Sequence, residues 1–289
     1  MVRFRYSTVA KISEADVVII GVPDESKSHA RRKGTSKGPD ILRLASNESG
    51  FFEREDKVIP ICPLRGSIDN KLVLDYGNID REDLYRFICE LASAKKIPFV
   101  LGGDHSLTTT TLQAIAHVYG RIGIIYFDAH PDFVSSTKDY YGSVLSDAST
   151  CIDFSKSVLI GTRAAEHEEL ENVHRAGLDV ITPMDIIESG ILKIANKITS
   201  KNNQNKKYIS IDLDCLDPAF APGVSLPSSC GISSVDLIYL VKLAVETGIV
   251  GMDIVELSPD FDINNVTAHL AARILLESIA SIKVTNSKI

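Results

Sequence analysis

Short runs of β-branched and other apolar residues punctuate this chain, with longer amphipathic stretches between them, and that alternation constrains the fold more than any other feature. The runs are Val17–Gly21, Pro98–Gly102, Ile122–Asp128, Val158–Gly161, Tyr208–Asp212 and Ile249–Val255. Several are apolar nearly throughout, as strands buried on both faces are. Candidate helices are Pro39–Ala45, with proline in its first turn, Arg81–Ala94, Ser106–Tyr119, Glu166–Ala176, Ser234–Glu246 and Val266–Ile282. This order predicts an α/β fold with a mostly parallel central sheet covered by helices on both faces. With 289 residues, 44% of them hydrophobic, and neither a composition break nor an internal repeat, the chain is expected to form a single domain, residues 1–289. The polar stretch Lys201–Lys207 reads as a surface loop before a strand.

Charge and cysteine usage narrow the function classes. A formal net charge of -7 argues against a general nucleic-acid binder and suits small cationic substrates. Cys62, Cys89, Cys151, Cys215 and Cys230 are odd in number and form no C-x-x-C pair, so neither a disulfide framework nor a thiolate zinc site is expected. Met1–Ala10 lacks the apolar run of a signal peptide, and no segment approaches the roughly twenty apolar residues that span a bilayer. The expectation is a cytoplasmic protein with no membrane partner. The basic stretch Lys27–Lys37 reads as a solvated loop, and Gly102-Gly103 lacks the rest of a phosphate-binding fingerprint.

Three of the apolar runs lead directly into hard ligands: Phe99-Val-Leu-Gly-Gly-Asp-His105, Ile124-Ile-Tyr-Phe-Asp128-Ala-His130-Pro-Asp132 and Ile209-Ser-Ile-Asp212-Leu-Asp214. Ligand sites of open parallel sheets lie at the strands' C-terminal ends, so the three segments can converge on one crevice. A spacing of two would set Asp128, His130 and Asp132 on one side of an extended backbone, and Asp212 and Asp214 likewise. Carboxylates gathered this closely repel unless cations neutralise them. Any one of the six residues taken alone is more readily a helix cap or an arginine's partner. Six at three strand ends point to a metal centre. Oxygen and imidazole donors without thiolate suit manganese, magnesium, iron or zinc, and the carboxylate excess favours manganese.

The segments Gly102-Gly-Asp-His-Ser106, Asp128-Ala-His-Pro-Asp132 and Ser210-Ile-Asp-Leu-Asp-Cys-Leu-Asp-Pro218 resemble the three signatures of the ureohydrolases, the arginases and agmatinases. Gly21-Val-Pro-Asp24, Gly34-Thr-Ser-Lys-Gly-Pro39 with Ile41-Leu-Arg43, and Gly251-Met-Asp-Ile-Val-Glu256 with Ser258-Pro259 extend the likeness over nearly the whole chain. The resemblance implies a three-layer α/β/α sandwich and two Mn2+ ions per chain. It makes Asp128 and Asp212 bridging ligands, with His105 and Asp132 completing one site and His130 and Asp214 the other. It also implies a homo-oligomer, trimer or hexamer. Two cations lower the pKa of a shared water, and the resonance-stabilised guanidinium carbon demands such a nucleophile. By the same resemblance Glu256 grips the guanidinium in a planar fork and Asp132 passes a proton to the leaving amine. An ion pair of Glu256 with Arg163 or Arg273 is the structural alternative.

Two departures bear on substrate. Tyr141, before Gly142, stands where the family usually carries a histidine, and with a reference pKa of about 10 tyrosine is a poor proton carrier at neutral pH. It is taken as substrate-binding, and His167 reads as a surface histidine. Val224-Ser225-Leu226 replaces the usual Thr-Gly-Thr, and Cys230 stands where glycine is common. The loop after Asp132 offers Ser135, Ser136 and Thr137 but lacks the early asparagine of arginases. Urea release from agmatine, giving the polyamine putrescine, is therefore the leading expectation. Arginase, guanidinobutyrase or formimidoylglutamase activity and a catalytically weak metal-bound scaffold are the alternatives.

Overall fold

The apolar runs become strands of one sheet. A computed structural model describes residues 2–135, 137, 140–201 and 206–283. In chain order these form β1 (Val17–Gly21), α1 (Gly38–Ser49), β2 (Phe51–Arg54), β3 (Lys57–Pro60), β4 (Val73–Asn78), α2 (Arg81–Ser93), β5 (Ile97–Leu101), α3 (Leu107–Tyr119), β6 (Gly123–Phe127) and α4 (Val144–Asp147). There follow β7 (Val158–Ile160), α5 (His167–Ala176), β8 (Asp179–Ile181), α6 (Pro183–Ser189), α7 (Ile191–Lys201), β9 (Lys207–Asp212), α8 (Ser234–Glu246), β10 (Gly251–Val255) and α9 (Val266–Ser281). The main sheet has eight strands in the order β4-β1-β5-β10-β9-β6-β7-β8. Every pairing in it is parallel, so the mostly parallel expectation is met in full.

Alternation along each strand divides the core into two layers. Ile19, Leu101, Phe127, Ile211 and Ile254 point to one face, against α1, α7, α8 and α9. Val18, Ile20, Val100, Ile124 and Tyr208 point to the other, against α2 and α3. The three-layer sandwich expected from the resemblance is the architecture observed. No helix among the described residues is long and apolar enough to cross a membrane.

Several elements escaped the sequence reading. Strand β4 carries Asp75, a charge that disqualifies it as a core strand until Arg43 is brought beside it. Arg43 Nε lies 2.8 Å from Asp75 Oδ2 and its Nη2 lies 3.0 Å from Oδ1, with both side chains fully buried. Strand β8 has only three residues. The start of α6 was legible in principle, because Thr182-Pro-Met-Asp185 is a capping box with proline in the first turn. Lys201, first residue of the expected polar loop, ends α7, Lys207 begins β9, and 202–205 lie outside the described residues, as does Ser136.

Candidate active site

The C-terminal ends of β5, β10, β9 and β6, four neighbours in the sheet, lead into His105, Glu256, Asp212 and Asp128. All four side chains are buried. The glycines between β5 and His105 are demanded by packing rather than by phosphate. A Cβ on Gly103 would lie 1.9 Å from the carbonyl oxygen of Asp24, and one on Gly102 would lie 2.6 Å from Val255 Cγ1.

The expected convergence of these side chains is present, but an extended backbone does not produce it. Both spacing-of-two pairs are local turns: the N–H of His130 donates to Asp128 Oδ1 at 2.6 Å, and that of Asp214 to Asp212 Oδ1 at 2.8 Å. Residues 213–215 form a 3-10 turn, and Asp132 adopts a left-handed φ of 48°. Short carboxylates bond readily to the amide two residues on, and here that preference outweighs strand continuation. Ala129 N–H donates to Asp214 Oδ1 at 3.1 Å, tying the two turns together.

Two donor groups result, and they share Asp128: His105 with Asp128 and Asp132, and Asp128 with His130 and Asp214. His105 Nδ1 lies 3.0 Å from Asp128 Oδ2, 3.0 Å from Asp132 Oδ2 and 3.2 Å from Asp212 Oδ2. His130 Nδ1 lies 3.1 Å from Asp214 Oδ2 and 3.4 Å from Asp128 Oδ1. Asp128 Oδ2 is buried without a hydrogen bond, although His105 Nδ1 is close. A lone pair buried in this way is costly unless a cation takes it up.

Electrostatics makes the same point. Burial, with Asp132 and Asp214 adding repulsion, lifts Asp128 to about 7, and burial beside Asp214 and Asp128 lifts Asp212 well above the carboxylate range. Burial opposes a charge on His130, yet Asp214 and Asp128 raise it to about 12. His105 is likewise held well above an ordinary imidazole by Asp128, Asp132 and Asp212, against its burial. Burial also works against ionised Asp214, but His130 and the Ala129 amide keep it below its usual value. With protein atoms alone, protons must gather between these carboxylates. Divalent cations fit the same places and the same donor set.

Behind the candidate ligands lies a buried polar chain that the sequence reading missed. His105 Nε2 is 2.8 Å from Ser210 Oγ, which donates to Asp253 Oδ1 at 2.7 Å. Asp253 Oδ2 accepts from Tyr208 and Thr108, each at 2.8 Å. Because Ser210 spends its proton on Asp253, its oxygen accepts from Nε2–H, which makes Nδ1 the nitrogen that faces the carboxylates and that a cation would take in place of its proton. Tyr126 donates to Asp132 Oδ2 at 2.6 Å, and its ring stacks on His105 with centroids 4.8 Å apart. A signal did exist for two of these residues, since Tyr126 precedes Asp128 by two and Ser210 precedes Asp212 by two.

Glu256 pairs with neither Arg163 nor Arg273. Arg163 is spent on backbone carbonyls including those of Asp214 and Ser228, and Arg273 on Glu277. Glu256 instead has a left-handed φ of 64°, accepts the N–H of His105 at 2.9 Å on Oε1, and accepts the Ser225 hydroxyl on Oε2. Val224 pairs with Leu257 in an antiparallel bridge, so the unusual Val224–Leu226 rim is the segment that fixes Glu256. Burial lifts the Glu256 pKa to about 8, with Ser225 pulling it down and Asp104 pushing it up. A carboxyl in that condition ionises when a cation pairs with it.

A cavity of about 110 Å³ is lined by Glu256, Asp132, Asp212, Asp214, Glu166 and Tyr141, among others. Burial raises the Tyr141 phenol further above neutrality, with Tyr140 reinforcing the shift. His167 opens α5 with its side chain 91% exposed, 3.4 Å from Glu171, and does not line the cavity.

The family model for "Arginase family" matches residues 15–280. An agmatinase of Neisseria meningitidis serogroup C is 32% identical over 274 residues, covering 92% of this chain and 87% of that protein. The agmatine ureohydrolase of Thermoplasma volcanium superposes with a TM-score of 0.83 at 29% identity, covering 97% of this chain and 94% of that one. The proclavaminate amidino hydrolase of Streptomyces clavuligerus gives 0.82 at 28% identity, covering 92% and 91%. Since the match runs from before β1 to the last turn of α9 and takes in every strand end described above, the chain belongs to the arginase family.

Proposed function

We propose that this protein is a manganese-dependent amidinohydrolase that releases urea from a linear guanidino compound, with agmatine, yielding putrescine, as the first substrate to test. One observation carries the reading. Glu256, with both oxygens already oriented, lines the same cavity as His130, Asp132, Asp212 and Asp214. Apart from His130, the ionisable groups of that cavity are acids and Tyr140 and Tyr141, a lining that selects cations. The names of the relatives support agmatine, whose two ends are both cationic.

The reaction joins water to the guanidinium carbon and breaks one carbon–nitrogen bond, converting R-NH-C(NH2)2+ and H2O to R-NH3+ and urea. His105 and Asp132, and His130 and Asp214, would hold two Mn2+ ions between them, with Asp128 and Asp212 shared. Such a pair, when bound, makes hydroxide available near neutral pH. Glu256 accepts two N–H groups of the guanidinium and holds its plane across the site. Asp132, steadied by Tyr126, takes the proton that the attacking water loses and returns it to the departing nitrogen. Tyr141, further along the same β6–α4 connection as Asp132, borders the substrate's path.

We also read residues 1–289 as one domain, supported by a sheet that takes strands from Val17 to Val255, and the working form as a cytoplasmic trimer or hexamer, which light scattering tests. The decisive experiment is a urea-release screen across guanidino compounds with manganese-loaded protein. Release from none of them overturns the reading.

A further inference from the structure

Past Val255 the chain leaves β10, and Glu256–Ser258 becomes one side of a short antiparallel ribbon. Val224 pairs with Leu257, and the Ser258 N–H donates to the Gly223 carbonyl at 2.8 Å. Antiparallel pairing of Val224 with Leu257 sets the residue after the first opposite the residue before the second, and these are Ser225 and Glu256. The Ser225 hydroxyl accordingly reaches Oε2 of Glu256, and both side chains are buried. A glycine at 225 has no hydroxyl to give, so the departure from Thr-Gly-Thr is felt at the carboxylate itself.

The serine is in turn held from α9. Thr267, fully buried in the first turn of that helix, donates its hydroxyl proton to Asp262 Oδ1 at 2.8 Å, so its oxygen is left to accept the Gly223 N–H at 2.9 Å. Asp262 also accepts the N–H groups of Thr267 and Ala268, each at 3.0 Å, as carboxylates at helix starts do. A Cβ on Gly223 would lie 2.7 Å from Asp262 Cβ, so glycine is what lets the ribbon come this close to the helix. The line of contacts runs from the start of α9 through Thr267, Gly223 and Ser225 to Glu256.

With the His105 N–H on Oε1 and the Ser225 hydroxyl on Oε2, each oxygen of Glu256 keeps one lone pair for a further donor, and turning the carboxylate plane breaks a bond. We propose that Ser225 is a positioning residue for guanidinium binding, anchored through Gly223 by Thr267 and Asp262. It presents Glu256 as a rigid two-point acceptor before substrate arrives, so the paired N–H groups of the guanidinium meet an orientation already fixed. This inference rests on the proposed grip of Glu256, and it assigns the precision of that grip to residues that do not themselves hold substrate.

The test uses the guanidino compound that wild type hydrolyses fastest, agmatine first, with manganese-loaded wild type, Ser225→Ala, Ser225→Thr, Thr267→Val and the double variant of Ser225→Ala with Thr267→Val. In Ser225→Ala kcat/KM should fall about tenfold, chiefly through KM, while Ser225→Thr, which keeps the hydroxyl, should stay within about threefold of wild type. Thr267→Val should lose about threefold, and the double variant should be no worse than Ser225→Ala alone, because both changes act through one hydrogen bond. Calorimetry on metal-free protein should show binding of the same compound weakened about tenfold by Ser225→Ala and little by Ser225→Thr, a readout independent of turnover. Ser225→Ala and Ser225→Thr within about twofold of each other in both readouts, in an enzyme whose wild type releases urea, overturn this inference and leave the hydrolase reading standing. Manganese content that falls in step with activity in Ser225→Ala does the same. Losses that multiply in the double variant overturn the anchoring assigned to Thr267. Urea from no guanidino compound with wild type overturns both the inference and the hydrolase reading.

Discussion

The main-chain N–H of His105 donates to Oε1 of Glu256 across 2.9 Å, so a proposed metal ligand and the proposed guanidinium anchor share one hydrogen bond. Their strands, β5 and β10, are neighbours in the sheet, and a displacement of either end is felt at the other. In the proposed reaction the distance between nucleophile and electrophile is thereby set by strand pairing, the stiffest element available.

Removing the charge of Glu256 while keeping its shape isolates its part in gripping substrate. Glu256→Gln should lower kcat/KM for the best guanidino substrate about ten- to a hundredfold, the loss expected of a charge-assisted hydrogen bond. Manganese content, read by elemental analysis, should stay at the wild-type level. Loss of metal together with activity would instead make Glu256 a structural part of the metal centre.

Ser210 and Asp253 act on His105 from behind. Ser210→Ala and Asp253→Asn should each weaken manganese binding by about ten- to a hundredfold, because the imidazole loses the partner that selects its tautomer. Titration against a competing chelator measures this directly. Unchanged affinity in both variants would show that the buried chain serves packing only.

The clustered carboxylates also dictate how metal-free protein responds to pH. Asp128, Glu256 and His130 hold protons more tightly folded than unfolded, at about 7, about 8 and about 12. The carboxyls' share of stability is therefore full below the ordinary carboxylate range and is lost as pH rises through about 7 and 8, while that of His130 declines only above neutrality. Bound cations replace those protons. The gain in thermal midpoint on adding Mn2+ should accordingly be larger at pH 8 than at pH 5.5, and a gain that shrinks over that interval would falsify the account.

Far from the site, Arg43 and Asp75 are fully buried and doubly hydrogen-bonded, and Asp75 also accepts the N–H of Phe4 at 2.7 Å. Asp75→Ala leaves a buried guanidinium without its anion and should cost about 3–5 kcal/mol by denaturant unfolding of the metal-loaded protein. Metal affinity of the folded variant should be unaffected, since the pair joins α1 to the sheet edge at β4.

The clustering of the six acidic and imidazole side chains was legible in the sequence because its members are chemically expensive. His105, Asp128, Asp212 and their neighbours follow apolar strands, where an unpaired charge has no bland explanation. Tyr126 and Ser210 stand two residues before ligands on the same strand face, yet tyrosine and serine are common enough in strands to pass unnoticed. The contact of Ser225 was harder to read. Its hydroxyl meets Glu256 only because Val224 pairs with Leu257, which is remote in sequence, and no local pattern reports that closure. Strand β4 was hidden for a similar reason, since Asp75 becomes acceptable in a core strand only through Arg43 of another element.

Strand β10 is the last strand in the chain, yet it lies between β5 and β9 at the centre of the sheet. Without it the remaining strands fall into two half-sheets, β4-β1-β5 from the N-terminal third and β9-β6-β7-β8 from the middle of the chain. During synthesis each half would show a bare edge until residues 251–255 arrive to bridge them, a state open to mispairing. Insertion of this keystone also delivers Glu256, so with the role proposed for that residue a chain becomes competent to hold substrate only at the step that seals its sheet.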